Sequence, residues 1–222
     1  GDTMDLDWEA LTAAVDAETI RSRLDGAALL GTGYWAETPD LPDVLAGIVD
    51  CWDELDDPPA TVLVDPGDVR KLDGARLRDG TDVIGRLAER TRVVVSANRA
   101  ETQLLAETYG DDLADASLEA QARAVTETFD ASLFVAHGVD CSLVVDGDET
   151  TSVAVPAVDD PELTTSAGDH FNAGLALALV AGVDPSGAAV VGNAVAGSFV
   201  RTGEPPTFEA VRAFVDAYES KF

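Results

Sequence analysis

Small residues and one aspartate come together between Thr164 and Gly174, just before a segment rich in Ala and Leu. Such a composition is typical of a loop that leads into a helix. The backbone N–H groups of Ser166, Ala167, Gly168 and Asp169 would then lie at the positive end of the helix dipole, where they can bind an anion. The stretch therefore predicts an anion-binding site.

Asp169 could do chemistry at this place as well as help to form the loop. A carboxylate beside bound phosphate can accept the proton of an attacking hydroxyl, which is general-base catalysis of phosphoryl transfer. The alternative is a helix cap without chemistry, and for an isolated run of this kind the cap is the commoner case. The neighbouring His170 is expected to face solvent, and His137 to precede a glycine turn.

A second pair of polar residues, Asn98 and Glu101, follows the apolar segment 93–96. At the carboxyl end of a strand in an open parallel sheet, side chains face the ligand crevice. An Asn with a Glu one helical turn further on can hold the water shell of a phosphate-bound Mg²⁺. Alone, this spacing is more often that of a helix cap followed by an acidic residue in the first turn.

The elements around these motifs alternate between short apolar segments and amphipathic ones. The predicted strands, two of them given with the turns that end them, are 27–33, 61–67, 92–96 and 132–136, and the predicted helices between and around them are 7–24, 41–52, 83–89, 100–109 and 118–129. An antiparallel hairpin at 141–145 and 152–158 follows, and helices at 171–180, 185–201 and 208–218 complete the chain. This order predicts an α/β fold with a mostly parallel sheet covered by helices on both faces and an antiparallel edge hairpin.

The composition narrows the classes of function. The chain has 42 acidic and 14 basic residues and a formal charge of −28, which argues against nucleic-acid binding because phosphate backbones are held by Lys and Arg. The acidic residues are spread along the sequence, as on proteins of a salt-rich cytoplasm. No apolar run approaches the length of about 20 residues that a membrane helix needs. Cys51 and Cys141 are expected to be free thiols. The length predicts a single domain, residues 1–222. The lack of a membrane-helix pattern and of a signal-peptide pattern predicts a cytoplasmic protein.

Taken together, in this order and about 70 residues apart, the two motifs resemble those of the ribokinase/PfkB carbohydrate kinase family. The resemblance implies a three-layer ribokinase-like fold, a Mg²⁺–ATP or Mg²⁺–ADP phosphoryl donor, a sugar or sugar-like acceptor and a homodimer as one assembly state. It makes Asp169 the catalytic base, with Ser166, Ala167 and Gly168 as the anion hole. It also implies a nucleotide site with the following members: Asn98 and Glu101 at the metal and phosphates, Thr165, Gly138 near the phosphates, and Asn193 at the adenine.

The sequence departs from this family at three places. Leu163 replaces an Asp that helps to bind an activating monovalent cation, so we expect no strong potassium activation. Ala136 replaces a Thr that contacts the nucleotide. The family's N-terminal part, with a Gly-Gly sugar-binding segment and a small β lid, is absent from these 222 residues. The pair Tyr34 and Trp35 is expected either to form a remaining wall of the acceptor site or to pack in the core.

Three functions stay open on this basis. The first is a kinase that phosphorylates a hydroxyl of a sugar. The second is a relative that binds nucleotide or sugar as a regulatory module without catalysis, as the departures at Leu163 and Ala136 would allow. The third is a kinase of the same fold that acts on a nucleoside or a vitamin precursor.

Overall fold

The computed structural model describes residues 5–110 and 112–219. The chain divides into two compact units. One contains the residues up to Ser96 together with Ala100–Phe134, and the other contains Ala97–Arg99 together with the residues from Val135 onward.

In chain order, the elements before the hairpin alternate between helices and strands. They are α1 Trp8–Ala14, α2 Ala17–Leu24, β1 Leu30–Thr32, α3 Leu41–Trp52, β2 Thr61–Val64, α4 Gly74–Ala88, β3 Arg92–Asn98, α5 Arg99–Tyr109, α6 Leu118–Thr128 and β4 Leu133–His137, with one turn of 3₁₀ helix at Val69–Lys71. The hairpin is β5 Cys141–Asp146 and β6 Glu149–Ala154, and the last helices are α7 Ala167–Val180, α8 Pro185–Thr202 and α9 Phe208–Glu219.

The six strands form one sheet in the order β1-β2-β3-β4-β5-β6. β1 pairs with β2 and β2 with β3 in parallel, so that Val62 lies opposite Leu30 on one side and Val93 on the other. β5 and β6 pair antiparallel, with Cys141 opposite Ala154. The predicted α/β class, with a mostly parallel sheet and an antiparallel hairpin at its edge, is confirmed.

The core of each unit consists of the apolar residues that the pattern places inside. In the first unit Val62 and Val93 are fully buried, as expected for strands covered on both faces, and Leu87 of α4 is fully buried as well. In the second unit, helices α7 and α8 approach closely because both carry glycines at the contact. A Cβ atom on Gly174 would lie within 3.0 Å of the Cα of Gly192, so no larger residue fits there without moving a helix backbone.

Several predicted boundaries are wrong. The helix predicted at 7–24 is two helices, because Asp16 leaves the helical conformation and its side chain caps α2 by accepting a hydrogen bond from the N–H of Thr19 at 2.8 Å. The helix predicted at 83–89 begins earlier, at Gly74, with Asp73 as its cap. Strand β3 continues through Asn98, and β6 ends at Ala154.

Both cysteines are free, as predicted, and Cys51 is buried. Among the described residues, none of the helices combines the length and the apolar character that a membrane crossing requires.

Candidate active site

The start of helix α7 is unusual among the helix starts of this protein. Its N-cap residue, Ser166, has φ 66° and ψ 12°, in the left-handed region that side-chain-bearing residues rarely adopt. A serine at this position normally caps the helix by accepting a hydrogen bond from an N–H of the first turn. Here the Ser166 side chain makes no such bond. The first turn of α7 is therefore not closed by its own cap.

Some N–H groups of this turn are therefore able to bind a ligand, and others are not. Ala167 donates to the carbonyl of Thr164 at 3.2 Å, so its amide is engaged within the loop. The N–H of Gly168 has no protein acceptor within residues 5–110 and 112–219. A left-handed residue followed by a helical one also turns successive N–H groups toward a common point, which is an arrangement that binds anions. The predicted anion hole thus depends more on Gly168 than on Ala167.

Asp169 lies one residue further on, in the first turn of α7, and its side chain is exposed. A group that takes a proton from a substrate hydroxyl must be reachable by that substrate, and this carboxylate is reachable. Its exposure agrees with a role as general base, although its assignment as the catalytic residue stays a prediction.

A cavity of about 360 Å³ opens beside this loop, within the second unit. Its lining includes five of the predicted site residues, namely Asn98, Gly138, Ala167, Gly168 and Asn193. Thr164, and not the predicted Thr165, contributes the loop threonine to the lining. Ser166 and Asp169 are the sequence neighbours of the lining residues Ala167 and Gly168. The tertiary structure therefore brings together residues that are up to 95 positions apart, from Asn98 to Asn193.

The apolar part of the cavity wall includes Val155, Pro156, Val158, Pro161, Ala196 and Val200. A polar group faces the same cavity. Asn193 is almost fully buried, and its Oδ1 accepts a hydrogen bond from Ser142 Oγ at 2.8 Å. Its Nδ2 is buried and has no hydrogen-bond partner among the described residues. A buried donor without a partner costs about 1–3 kcal/mol, a cost that a ligand with an acceptor atom would remove.

His137 forms part of the floor under the anion loop. Its ring stacks on that of Phe171, with 4.7 Å between ring centroids, and a Cβ on Gly168 would lie 3.4 Å from its Cε1. Burial lowers the pKa of His137 to about 4, so the imidazole is neutral near pH 7. Sequence reasoning gave this residue no definite role. Its position at the end of β4, directly before Gly138, was the available signal.

Position 138 favours glycine because the backbone of Cys141 lies close to it. A Cβ at this position would lie 3.1 Å from the carbonyl oxygen of Cys141, which is tighter than nearly all such contacts. Ala136, where the family pattern has Thr, is buried within β4.

The two members of the predicted metal motif belong to different units. Asn98 is the last residue of β3 and lines the cavity of the second unit. Glu101 is half-buried in the first turn of α5, in the first unit. In that unit the pKa of Arg70 is raised, chiefly by its hydrogen bond with Asp68 and to a smaller degree by the charge of Glu101.

A metal held by protein atoms alone does not fit this site. In the part of the chain that the structure describes, no three His, Cys, Asp or Glu side chains form a group able to hold a metal ion. Mg²⁺ in nucleotide sites usually keeps several waters and is bound through substrate phosphates with one or two protein oxygens. The assignment of Asn98 and Glu101 to Mg²⁺ stays a prediction.

The structure also separates the two aromatic residues after β1. Trp35 is 2% exposed and packs on Gly80, where a Cβ would overlap the indole ring. Trp35 is thus a core residue. Tyr34 is 60% exposed, has φ 59°, and follows the carboxyl end of β1. Of the pair, Tyr34 alone could contact a ligand.

Solved structures share this fold. A fructokinase from Vibrio cholerae O395 with fructose, ADP and calcium ion bound has a TM-score of 0.66 and 21% identity, over 86% of this chain and 61% of that one. A ribokinase from Thermotoga maritima has a TM-score of 0.64 and 20% identity, over 88% of this chain and 59% of that one. The protein therefore has the fold of the ribokinase-type kinases, as the sequence motifs predicted.

The particular family follows from closer relationships. The family model of prokaryotic ketohexokinases matches residues 1–218, and the chain belongs to that family. A ketohexokinase from Haloferax volcanii is 46% identical over 223 aligned positions, which cover 100% of this chain and 59% of the relative. The chain thus spans less than two thirds of the length of this relative.

Proposed function

We propose that this chain provides the nucleotide-binding and phosphoryl-transfer part of a ketohexokinase, which transfers a phosphoryl group from a nucleotide to a hydroxyl of a ketohexose. The observation that carries the proposal is the start of α7, where the Gly168 amide has no protein acceptor among the described residues and the Asp169 carboxylate is exposed. The family membership of the chain supplies the acceptor class.

In the proposed reaction, Asp169 accepts the proton of the sugar hydroxyl as its oxygen attacks the terminal phosphorus of the donor. A new bond forms between the sugar oxygen and phosphorus, and the bond from phosphorus to the bridging oxygen of the donor breaks. The proton passes from Asp169 to water afterwards. The Gly168 amide, with the positive end of the α7 dipole behind it, stabilises negative charge on the moving phosphoryl group.

The cavity beside the loop is the proposed place of the nucleotide base. Its apolar wall suits the faces of a purine, and the Nδ2 of Asn193 can donate to a ring nitrogen. The sequence assigns Asn98 and Glu101 to Mg²⁺ binding through water, which stays a prediction, and a bound ion would supply charge neutralisation at the phosphates. Either ATP or ADP would satisfy these contacts. Gly138 and Ser166 complete the proposed donor site, and the role of Thr165, beside the lining residue Thr164, stays a prediction.

The kinase is favoured over a binding module without catalysis. A module of that kind would need no exposed carboxylate beside the first-turn amides of α7, yet Asp169 holds that position. The match to the ketohexokinase family favours a sugar over a nucleoside or a vitamin precursor as the acceptor. The expectation that Tyr34 forms a wall of the acceptor site stays a prediction.

The charge of −28 supports a salt-rich cytoplasm as the setting, since salt screens the repulsion among exposed carboxylates. A nucleotide donor is also available there. A single domain and a homodimer stay predictions.

The test uses the full-length gene product in molar potassium chloride, so that low salt does not unfold an acidic protein. Fructose and other sugars are assayed with Mg²⁺ and with ATP or ADP. Asp169→Asn should lower turnover by roughly 10²-fold or more, as expected for loss of a general base, while nucleotide affinity changes little. Near-normal turnover in this variant would contradict the proposed mechanism.

Asp184→Asn is the matched control. Asp184 is also an exposed aspartate at the start of a helix, α8, but it lies outside the cavity lining. The same chemical change there should leave turnover within about twofold of the unmodified protein. A similar loss in both variants would indicate damage to the fold rather than to the site.

A further inference from the structure

We infer that Arg201 is a positioning residue that holds part of the cavity wall in place and so supports nucleotide affinity from outside the cavity. The inference rests on the proposed function, in which the cavity takes the nucleotide base. The part concerned is residues 155–161, here called the wall segment, which lies between β6 and the loop before α7. The wall segment contributes four residues to the cavity lining, namely Val155, Pro156, Val158 and Pro161, whereas Arg201 does not line the cavity.

The wall segment has little hydrogen bonding of its own. It belongs to no helix or strand, because β6 ends at Ala154 and α7 begins at Ala167. Pro156 and Pro161 have no N–H group to donate. Within residues 5–110 and 112–219, no backbone group of residues 156–161 bonds to another backbone group. A segment of this kind keeps its place only through contacts with other elements.

Backbone hydrogen bonds hold the wall segment at its two ends. At the first end the N–H of Val155 donates to the carbonyl of Asp140 at 2.8 Å. Directly after the second end the N–H of Glu162 donates to the carbonyl of Val200 at 2.7 Å. Val200 lies in the last turn of α8, where carbonyl groups lack partners within the helix and can accept from other segments.

Arg201 follows Val200 in α8 and binds the wall segment between these ends. Its Nη2 donates to the carbonyl of Ala157 at 3.3 Å. In the described part of the chain, residues 156–161 make no other hydrogen bond. The neighbours of Ala157 on both sides, Pro156 and Val158, line the cavity. The contact of Arg201 therefore restrains two lining residues at once.

The guanidinium group of Arg201 is held in turn by α9. Its Cζ lies 4.5 Å from the centroid of the Phe214 ring. That ring packs on α8, since a Cβ on Gly197 would lie 2.7 Å from its Cζ. Among the described residues Arg201 makes no ion pair. The side chain is thus fixed between an aromatic ring and a carbonyl oxygen, two partners that suit a planar guanidinium.

Loss of this side chain would leave the middle of the wall segment without a hydrogen bond. The cavity would then be correctly formed in only a fraction of the molecules, and the affinity for the base falls with that fraction. The start of α7 has its own contacts and does not depend on Arg201. We therefore expect an effect on nucleotide binding and not on phosphoryl transfer.

The test is Arg201→Met, which keeps the length of the side chain and removes the donor and the charge. It is assayed in the full-length protein in molar potassium chloride. The KM for the nucleotide should rise about threefold to tenfold. The kcat at saturating nucleotide and the KM for the sugar should change little. An unaltered KM for the nucleotide, or a fall in kcat as large as the rise in KM, would overturn the inference.

Arg212→Met is the matched control. Arg212 is an exposed arginine of α9 in the same unit, and its side chain has no hydrogen bond or ion pair with another described residue. The substitution removes the same charge and should leave the KM for the nucleotide within about twofold. An equal rise in both variants would show that Arg201 acts through its charge, and this would overturn the inference.

¹⁵N relaxation of the wall segment gives a readout that needs no ligand. The order parameters of the Ala157 and Val158 amides should fall below about 0.6 in Arg201→Met and stay at the values of the unmodified protein in Arg212→Met. Unchanged order parameters in Arg201→Met would contradict the inference. If the unmodified protein bound no nucleotide and phosphorylated no sugar, the proposed function would fail, while these order parameters would still decide whether Arg201 holds the wall segment.

Discussion

Helices α7 and α8 pack on each other but begin in opposite ways. Helix α8 is closed at its start: Pro185 occupies the first turn, and the carboxylate of Asp184 accepts from the N–H of Gly187 at 3.0 Å. Helix α7 is open: Ser166 is left-handed, its side chain does not cap, and the N–H of Gly168 has no acceptor among the described residues. The closed start contributes stability, whereas the open start leaves donors for a ligand.

The difference is informative because serine is as good a capping residue as aspartate. The composition of the two starts does not explain why one is capped and the other is not. The backbone conformation of Ser166 explains it, and conformations of this cost persist where the surrounding structure enforces them, often at functional sites. The contrast between the two starts can be tested in four ways.

The largest expected effect concerns the residue beneath the open start. His137 has a pKa of about 4 in the folded protein and near 6.5 when unfolded, so the unfolded chain binds more protons between these values. The contribution to stability is complete above pH 6.5 and is lost as the pH falls toward 4, by up to about 3 kcal/mol. Urea unfolding at pH 7 and pH 4.5 in molar potassium chloride measures it.

The many carboxylates also titrate in this range, so the comparison is made with His137→Gln. This variant should lose less stability than the unmodified protein on acidification. Parallel curves for the two proteins would show that His137 is not buried in its neutral form beneath the loop.

The second prediction concerns a substitution at the start of α7, where an aspartate like the one that caps α8 replaces Ser166. Ser166→Asp would place a carboxylate at the first-turn amides, where it can cap them and repel phosphate. Nucleotide affinity should fall at least about tenfold, with little loss of folding stability. Calorimetric titration with the nucleotide checks the change, and unaltered affinity would mean that these amides do not bind the phosphates.

The third prediction is the reverse change at the closed start. Asp184→Ala removes the acceptor of the Gly187 N–H and should lower the free energy of unfolding by about 1 kcal/mol. Nucleotide affinity and turnover should stay near their unmodified values. A clear loss of affinity without a loss of stability would show that the start of α8 also serves the ligand.

The smallest effect is expected at Leu163, which precedes the open start. Leu163 is 41% exposed, and its N–H donates to the carbonyl of Val200 at 3.4 Å. It offers no carboxylate to a monovalent cation. Replacing sodium by potassium at constant ionic strength should therefore change the rate less than about twofold. An increase of several-fold would show that other atoms bind the cation.

The elements with strong periodicity were predictable from sequence. The bounds of α3 were predicted without error, and the start of β5 and the turn at Gly147 were placed correctly, whereas β6 begins and ends earlier than the predicted 152–158. The errors lie where a polar residue changes the local conformation. Asp16 interrupts the predicted first helix. The first nine residues of α4, among them the buried Leu77, were not predicted as helix because most of the surface of α4 is polar.

The residue types of the site were also visible in the sequence. Gly168 and Asp169 were assigned from a small-residue loop before a helix, and both lie at the start of α7. The exposure of Tyr34 and the burial of Trp35 were not decidable, because the partner that accommodates the indole, Gly80, lies 45 positions away. For the same reason the stacking of His170 on Phe199 could not be foreseen.

The sequence by itself determined the order of strands and helices, the excess of acidic residues and the loop that is predicted to bind phosphate, because these depend on local pattern and on residue chemistry. The tertiary structure alone decided that Ser166 is left-handed, that His170 reaches its carbonyl, and that Asn193, whose buried Nδ2 has no hydrogen-bond partner among the described residues, lines the cavity. These features depend on contacts between segments distant in sequence, and local preference at Ser166 favours the opposite outcome.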